Sequence, residues 1–301
     1  MKEFAGIIRL PFLLLAPVCV FLAAGLAYSM TGELDWGLLL LNLFAAISAH
    51  IGVNALNEYQ DFISGLDLQT ERTPFSGGSG TLPENPHLAP LALRISISAI
   101  VFTSISGLVL IYLRGSELLL PGLSGLVLIV LYTKILNRYP LLCLLSPGLG
   151  FGIIMVGGSY FALTGTYSNE VFLVSLIPFF LVNNLLLLNQ FPDVSADRKA
   201  GRRHILIQYG YKAASLVYLI FLLFAALTLI ASAYLGILPL YSLSGLLLIA
   251  VGVPVYQAAA NTGSNIDLLL PHMGANVGMV LLMPVLLGIS LFYNSFKGVS
   301  G

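Results

Sequence analysis

Apolar runs long enough to cross a bilayer recur along nearly the whole chain, and they fix its fold class before any motif is considered. They lie near 10–30, 37–56, 91–113, 117–136, 141–163, 171–190, 213–235, 237–257 and 270–293, separated by short polar breaks. Runs of ~20 apolar residues match a helix spanning ~30 Å of hydrocarbon. In lipid every backbone N–H and C=O must bond within the structure, and a strand barrel would show short alternating segments instead. The expectation is an all-α, polytopic membrane protein, about nine transmembrane helices in a single bundle, forming one domain over residues 1–301. The composition agrees, because only 9% of residues are charged, against ~25% in soluble domains.

The formal net charge is zero, so no bulk field argues for nucleic acid as a partner. Cys19 and Cys143 lie in apolar stretches and read as buried thiols. The start, "MKEFAGIIRLPFLLLAPVCVFLAAG", has the basic opening and apolar core of a secretory signal. Its apolar run continues from Leu10 to Met30, which predicts a retained first helix. With nine spans, Lys2, Arg9, Arg72, Arg94, Lys134, Arg138, Arg198, Lys199, Arg202, Arg203 and Lys212 fall on one side of the membrane. Arg114 and Lys297 fall on the other. Eleven against two is a strong positive-inside bias, predicting a cell (inner) membrane protein with its N-terminus and polar motif loops in the cytoplasm.

Two polar stretches break the hydrocarbon pattern. "NALNEYQDFISGLD" (54–67) ends the second apolar run, and "NQFPDVSADRKAGRRH" (189–204) ends the sixth. Each contains N-x-x-x-D, as Asn57/Asp61 and Asn189/Asp193, with an offset of 132 residues. Residues four apart share a helix face, so each Asn points with its Asp. Asp61, Asp67 and Glu71 leave the second span on the side where Asp193 and Asp197 leave the sixth. Brought together, the two faces make a cage of oxygen ligands suited to Mg²⁺, which bridges carboxylates to substrate phosphates. Arg72, Lys199, Arg202 and Arg203 lie near enough in sequence to supply positive charge to a diphosphate. Solvated caps at span ends are the ordinary alternative for each residue singly. It weakens for two matching clusters on one side.

These stretches resemble the two aspartate-rich motifs of the UbiA superfamily of intramembrane prenyltransferases. The first matches N-x-x-x-D followed by D-x-x-x-x-R-T at Asp67, Arg72 and Thr73; the second matches D-x-x-x-D at Asp193 and Asp197, followed by Lys199 and Gly201. Within the superfamily, Asp61–Gly65–Asp67 and the late stretch "PHMGANVGMVLLMPVLLG" look most like the menaquinone branch. Glu58 stands where Asp is usual, and His204 where Thr commonly follows. "LYTKILNRYP" only loosely matches the basic-aromatic pattern of relatives.

The resemblance implies transfer of a polyprenyl group from an allylic polyprenyl diphosphate to a small aromatic acceptor, with 1,4-dihydroxy-2-naphthoate as the menaquinone-branch choice. Two Mg²⁺ held by Asp61, Asp67, Asp193 and Asp197 would draw off the diphosphate. Asn57 and Asn189 would bind metal or phosphate, and Arg72, Lys199 and Arg202 would clamp the diphosphate. Lys134 and Tyr132 would add to substrate binding, with Tyr132 or Tyr160 facing the allylic cation. Arg9 is open to two roles, meeting an acceptor carboxylate or anchoring the first span. The loop "TPFSGGSGTLPENPH" (73–87) reads as a mobile lid or as a plain connection, and His50 and His272 read as packing or interfacial residues. An ion-coupled transporter would place its carboxylates near the bilayer midplane on broken helices. An alcohol phosphotransferase would carry them in one contiguous motif. Hydroxybenzoate, a tetrapyrrole or a glycerol-phosphate lipid would leave similar motifs as acceptors.

Overall fold

The computed structural model describes residues 2–70, 72–73, 76–262 and 265–299, which are helical nearly throughout, with no strand among them. Glu71 and two residues of the 73–87 loop lie outside the described residues. Nine apolar helices follow in chain order: α1 (Leu10–Thr31), α2 (Trp36–Ile63), α3 (Pro86–Arg114), α4 (Ser116–Leu131), α5 (Pro140–Thr164), α6 (Asn169–Lys199), α7 (Ile205–Tyr234), α8 (Leu240–Thr262) and α9 (Leu270–Lys297). Eight are long and apolar enough to cross a membrane, and the protein is a multi-pass membrane protein. The fourth expected span is the exception. It stops at Leu131, where Thr133 and Lys134 end the apolar run and the chain turns, and α5 restarts at Pro140.

Helix ends follow local chemistry. Asp35 caps α2, its Oδ1 accepting from the Leu38 N–H at 3.0 Å, and the Ser168 hydroxyl caps α6 by accepting from Glu170 and Val171. Hydropathy predicts ends at 56 and 190, but α2 runs on to Ile63 and α6 to Lys199. A polar cluster ends an apolar run without ending a helix. Both Asn/Asp pairs therefore stand on helices, which fixes their side-chain directions.

The main core joins α1 and α5–α9 through Leu22, Val156, Ile177, Leu229, Val255 and Met283. Between α5 and α6 the backbones almost touch, since a Cβ on Gly152 would lie 2.6 Å from Phe179 Cα. Small residues are how membrane helices approach so closely. Pro147 and a π-helical stretch (Leu149–Val156) lie at this contact, and the Gly148 N–H donates to Asn183 Oδ1 at 2.6 Å. A separate small core of Ile7, Ala55, Leu82 and Ala92 binds two short helices, Lys2–Ile7 and Thr81–Glu84, to α2 and α3. Between Lys2–Ile7 and α1 the chain bends at Arg9, a left-handed residue with φ 52°. That geometry costs a non-glycine residue ~1–2 kcal/mol. Leu40, Leu120 and Leu247 are exposed on the outer face, as lipid-facing side chains would be.

Candidate active site

One cavity of about 870 Å³ runs inside the bundle from the C-terminal ends of α2 and α6 along α2, α3, α4 and α5. Its lining on α2 reaches from Asp61 to Asn42, ~28 Å at 1.5 Å per residue. The two ends differ in chemistry. Asp61, Asp67, Asp193, Asp197, Arg9 and Arg202 line the polar mouth; farther in, the walls are mostly apolar, with Ala45, Leu126, Ile129 and Phe151. Between α3 and α4 the wall is thin. A Cβ on Gly107 or Gly122 would have no neighbour within 4 Å, and Leu108 and Leu123 line the cavity while being exposed themselves.

The two polar stretches meet at Arg202. Its Nη2 donates to Asp61 of the first, and its Nη1 donates at 2.8 Å to Asp197 of the second. Burial works against the guanidinium charge, but the Asp61 and Asp197 carboxylates outweigh it and hold Arg202 protonated. His204 Nε2 lies 3.1 Å from the other Asp197 oxygen. A turn with Gly65 at φ 77° swings the chain back after α2, so Asp67 packs beside Asp61. Burial pushes the Asp67 carboxyl up to about 7, and the Asp61 and Glu58 charges add to the shift. Asp193 accepts from the Gly77 N–H at 3.2 Å. Asp67 Oδ2 and Asp193 Oδ1 are buried with no hydrogen-bond partner.

Asn57, Asn189 and Tyr132 also line the cavity, and Asn57 Nδ2 donates to Thr133 Oγ1 at 2.9 Å. Three basic residues of the expected set stand elsewhere. Arg72 pairs with Glu84 at 2.6 Å outside the cavity lining. Lys199 is exposed at the end of α6, ~200° around the helix from Asp197. Lys134 is exposed where the chain turns after α4. Arg9 lines the mouth, but its Nε is engaged by Glu58 at 2.7 Å. Tyr160 is outside the lining, its hydroxyl donating to the Met30 sulfur. His50 packs edge-on against Phe151 and lines the apolar part of the cavity.

Sequence reasoning gave Glu58 and Cys143 no part in the site and passed over the wall residues Asn137 and Gln190, while the Ser76–Ser79 segment of the loop read as lid or connection folds over the mouth. The Cys143 thiol lies 3.4 Å from both Asn137 Oδ1 and Gln190 Nε2. Glu58 alone carried a signal, standing one helical turn before Asp61.

The donor set at the mouth is carboxylate and amide oxygen, the preference of Mg²⁺. The two orphaned carboxylate oxygens fit a cation. Among the described residues, no three His, Cys, Asp or Glu side chains already converge as a metal centre. The four lining aspartates outnumber the lining guanidiniums of Arg9 and Arg202. An anionic diphosphate would therefore be repelled unless added cations came with it.

A sequence profile of the UbiA prenyltransferase family matches residues 18–267. A 1,4-dihydroxy-2-naphthoate octaprenyltransferase of Bacillus subtilis is 27% identical over 184 residues, 60% of this chain and 58% of the relative. The chain thus spans less than two thirds of that relative's length. An enzyme of the same name from Haemophilus influenzae is 25% identical over 226 residues, 73% of each chain. The solved structure of a UbiA homolog from Archaeoglobus fulgidus bound to DMAPP and Mg²⁺ superposes with a TM-score of 0.69 over 94% of this chain and 98% of that one. At 13% identity that likeness is one of fold.

Proposed function

The chain belongs to the UbiA prenyltransferase family, and from that premise we propose that it joins a polyprenyl chain, carried on an allylic diphosphate, to 1,4-dihydroxy-2-naphthoate in menaquinone biosynthesis. The observation that carries the reading is a continuous cavity with a carboxylate-rich mouth and an apolar interior. A polyprenyl diphosphate has the matching division, a multiply charged head and a hydrocarbon tail. Two relatives named for naphthoate prenylation support the acceptor, and the archaeal homolog bound to DMAPP and Mg²⁺ supports the donor class.

The reaction breaks the bond between the allylic carbon and the diphosphate, leaving the electron pair on oxygen, and forms a new bond to a ring carbon of the acceptor. That carbon then loses the substituent it carried, a proton or the carboxyl group as CO2, whose bonding pair returns to the ring. Asp61, Asp67, Asp193 and Asp197 would hold Mg²⁺, with Asn57 and Asn189 beside them. When bound, Mg²⁺ neutralises the charge gathering on the leaving diphosphate. Arg202 offers a planar fork of donors between the two motifs and orients phosphate oxygens as it now orients Asp61 and Asp197. Tyr132, in the wall by the mouth, lends its ring face to the allylic cation. The apolar lining keeps water from that cation. A dihydroxylated ring is electron-rich, so the site supplies ionisation and placement more than base catalysis. With nine spans, the eleven-to-two bias of basic residues supports a mouth that faces the cytoplasm.

The test is direct. Purified protein in lipid nanodiscs receives Mg²⁺, labelled polyprenyl diphosphate and, side by side, 1,4-dihydroxy-2-naphthoate, 4-hydroxybenzoate and a glycerol-phosphate lipid. The naphthoate product is expected by mass, with diphosphate release dependent on Mg²⁺. Preference for another acceptor would overturn the naphthoate assignment, and no prenyl transfer at all would overturn the donor reading.

A further inference from the structure

The loop over the mouth is fastened by a carboxylate that takes no part in the cavity. Glu58 is fully buried, one turn before Asp61, and does not line the cavity. Its Oε1 accepts from Arg9 Nε and from the Ser79 backbone N–H, both at 2.7 Å, and its Oε2 accepts from the Ser79 hydroxyl at 3.1 Å. The same loop touches the aspartates a little upstream. The Gly77 N–H donates to Asp193, and a Cβ on Gly78, whose φ is 70°, would stand 2.9 Å from Asp67 Oδ1. Behind the loop, a Cβ on Gly6 would stand 2.0 Å from Thr81 Oγ1, and Ile7 and Leu82 are fully buried in their shared core.

We infer that Glu58 is a positioning residue: with Arg9 it straps the Lys2–Ile7 helix to the Ser76–Ser79 loop, and so holds the Gly77 and Gly78 backbone against Asp193 and Asp67. The role of the site rests on the prenyltransferase reading, whereas the strap is defined by its own contacts. Three donors already surround the carboxylate, and its oxygens face the loop, not the cavity. Glutamate is also the length that fits. Aspartate is shorter by one bond of ~1.5 Å, and withdrawing the carboxylate that far would part it from Arg9 and Ser79 together.

Amide hydrogen exchange on the full chain in nanodiscs, without substrate, tests the strap apart from catalysis. In E58Q and E58D, exchange at residues 77–79 should quicken on the order of tenfold, with α6 unchanged, as expected of a local opening. The KM for polyprenyl diphosphate should rise several-fold, with kcat and the Mg²⁺ activation constant little altered. Joint replacement of Arg9→Met and Glu58→Met removes both charges, a change that buried pairs often tolerate. That variant should loosen the loop as E58Q does, and it carries the test if E58Q does not fold. Unchanged protection at 77–79 in the folded variants would overturn the strap. So would E58D with native protection and a shifted Mg²⁺ activation constant, the signature of a metal ligand. Loosened exchange in a protein that prenylates no acceptor would uphold the strap and refute the prenyltransferase reading.

Discussion

Arg202 is the residue on which the two halves of the site converge, because one guanidinium holds a carboxylate from each motif. Arg202→Gln should lower turnover at least ~100-fold, since loss of a buried charge partner leaves carboxylates unpaired. Arg72→Gln, which breaks an exposed pair with Glu84, should change it only a few-fold in the same assay. Asp61→Asn and Asp193→Asn should each abolish turnover in protein that still elutes as a folded species in detergent. Near-normal activity in either would refute a shared site. Asp67 adds a pH signature. Its carboxyl is raised to about 7 in the folded chain, against about 4 unfolded. The folded state thus binds the extra proton between those values, and the contribution of Asp67 to stability falls as pH rises from about 4 to about 7. Thermal melts of metal-free protein should show this decline, and Asp67→Asn should make it shallower. The aspartates were legible in sequence because spacing by four reports a shared helix face. Which basic residue would join them was not. Arg72, Lys199 and Arg202 all lie close to the motifs in sequence, yet helix phase and a surface glutamate turn two of them away.

At the level of elements, hydropathy found nine apolar helices, eight of them long enough to cross a membrane, but misjudged where they stop. It ended α2 and α6 at the polar clusters around Asn57–Asp61 and Asn189–Asp193, and it carried α4 past Leu131 into a turn. The glycine contact between α5 and α6 left no periodic mark, because closeness is a property of two helices and hydropathy reads one. Gly152→Leu should destabilise the bundle by about 1–3 kcal/mol, the usual cost of overpacking, since even a Cβ there meets Phe179 backbone. A lowered melting temperature in detergent would register it, whereas Gly157→Ala, with nothing within 4 Å of the added Cβ, should be nearly silent. The described residues of the 73–87 loop, whose sequence reads as lid or connection, include the Ser76–Ser79 segment over the mouth. They are tied there through Gly77, Ser79 and Leu82.

For the whole molecule, topology is open to chemical labelling, and the chain supplies a quiet background because Cys19 and Cys143 are both buried. His87→Cys and Ala200→Cys, both at exposed positions, should react only with reagent added from the cytoplasm, and Thr166→Cys only from outside. Labelling of the first two from opposite faces would break the proposed arrangement of spans. The thin wall between α3 and α4 has a different kind of consequence. If a hydrocarbon chain enters through that gap, the enzyme samples its substrate from the surrounding film of lipid, and the bulk solution drops out of the rate law. Adding inert phospholipid at constant enzyme and constant polyprenyl diphosphate should then slow the reaction in proportion to the falling surface density. Changing the aqueous volume at fixed lipid should leave it untouched.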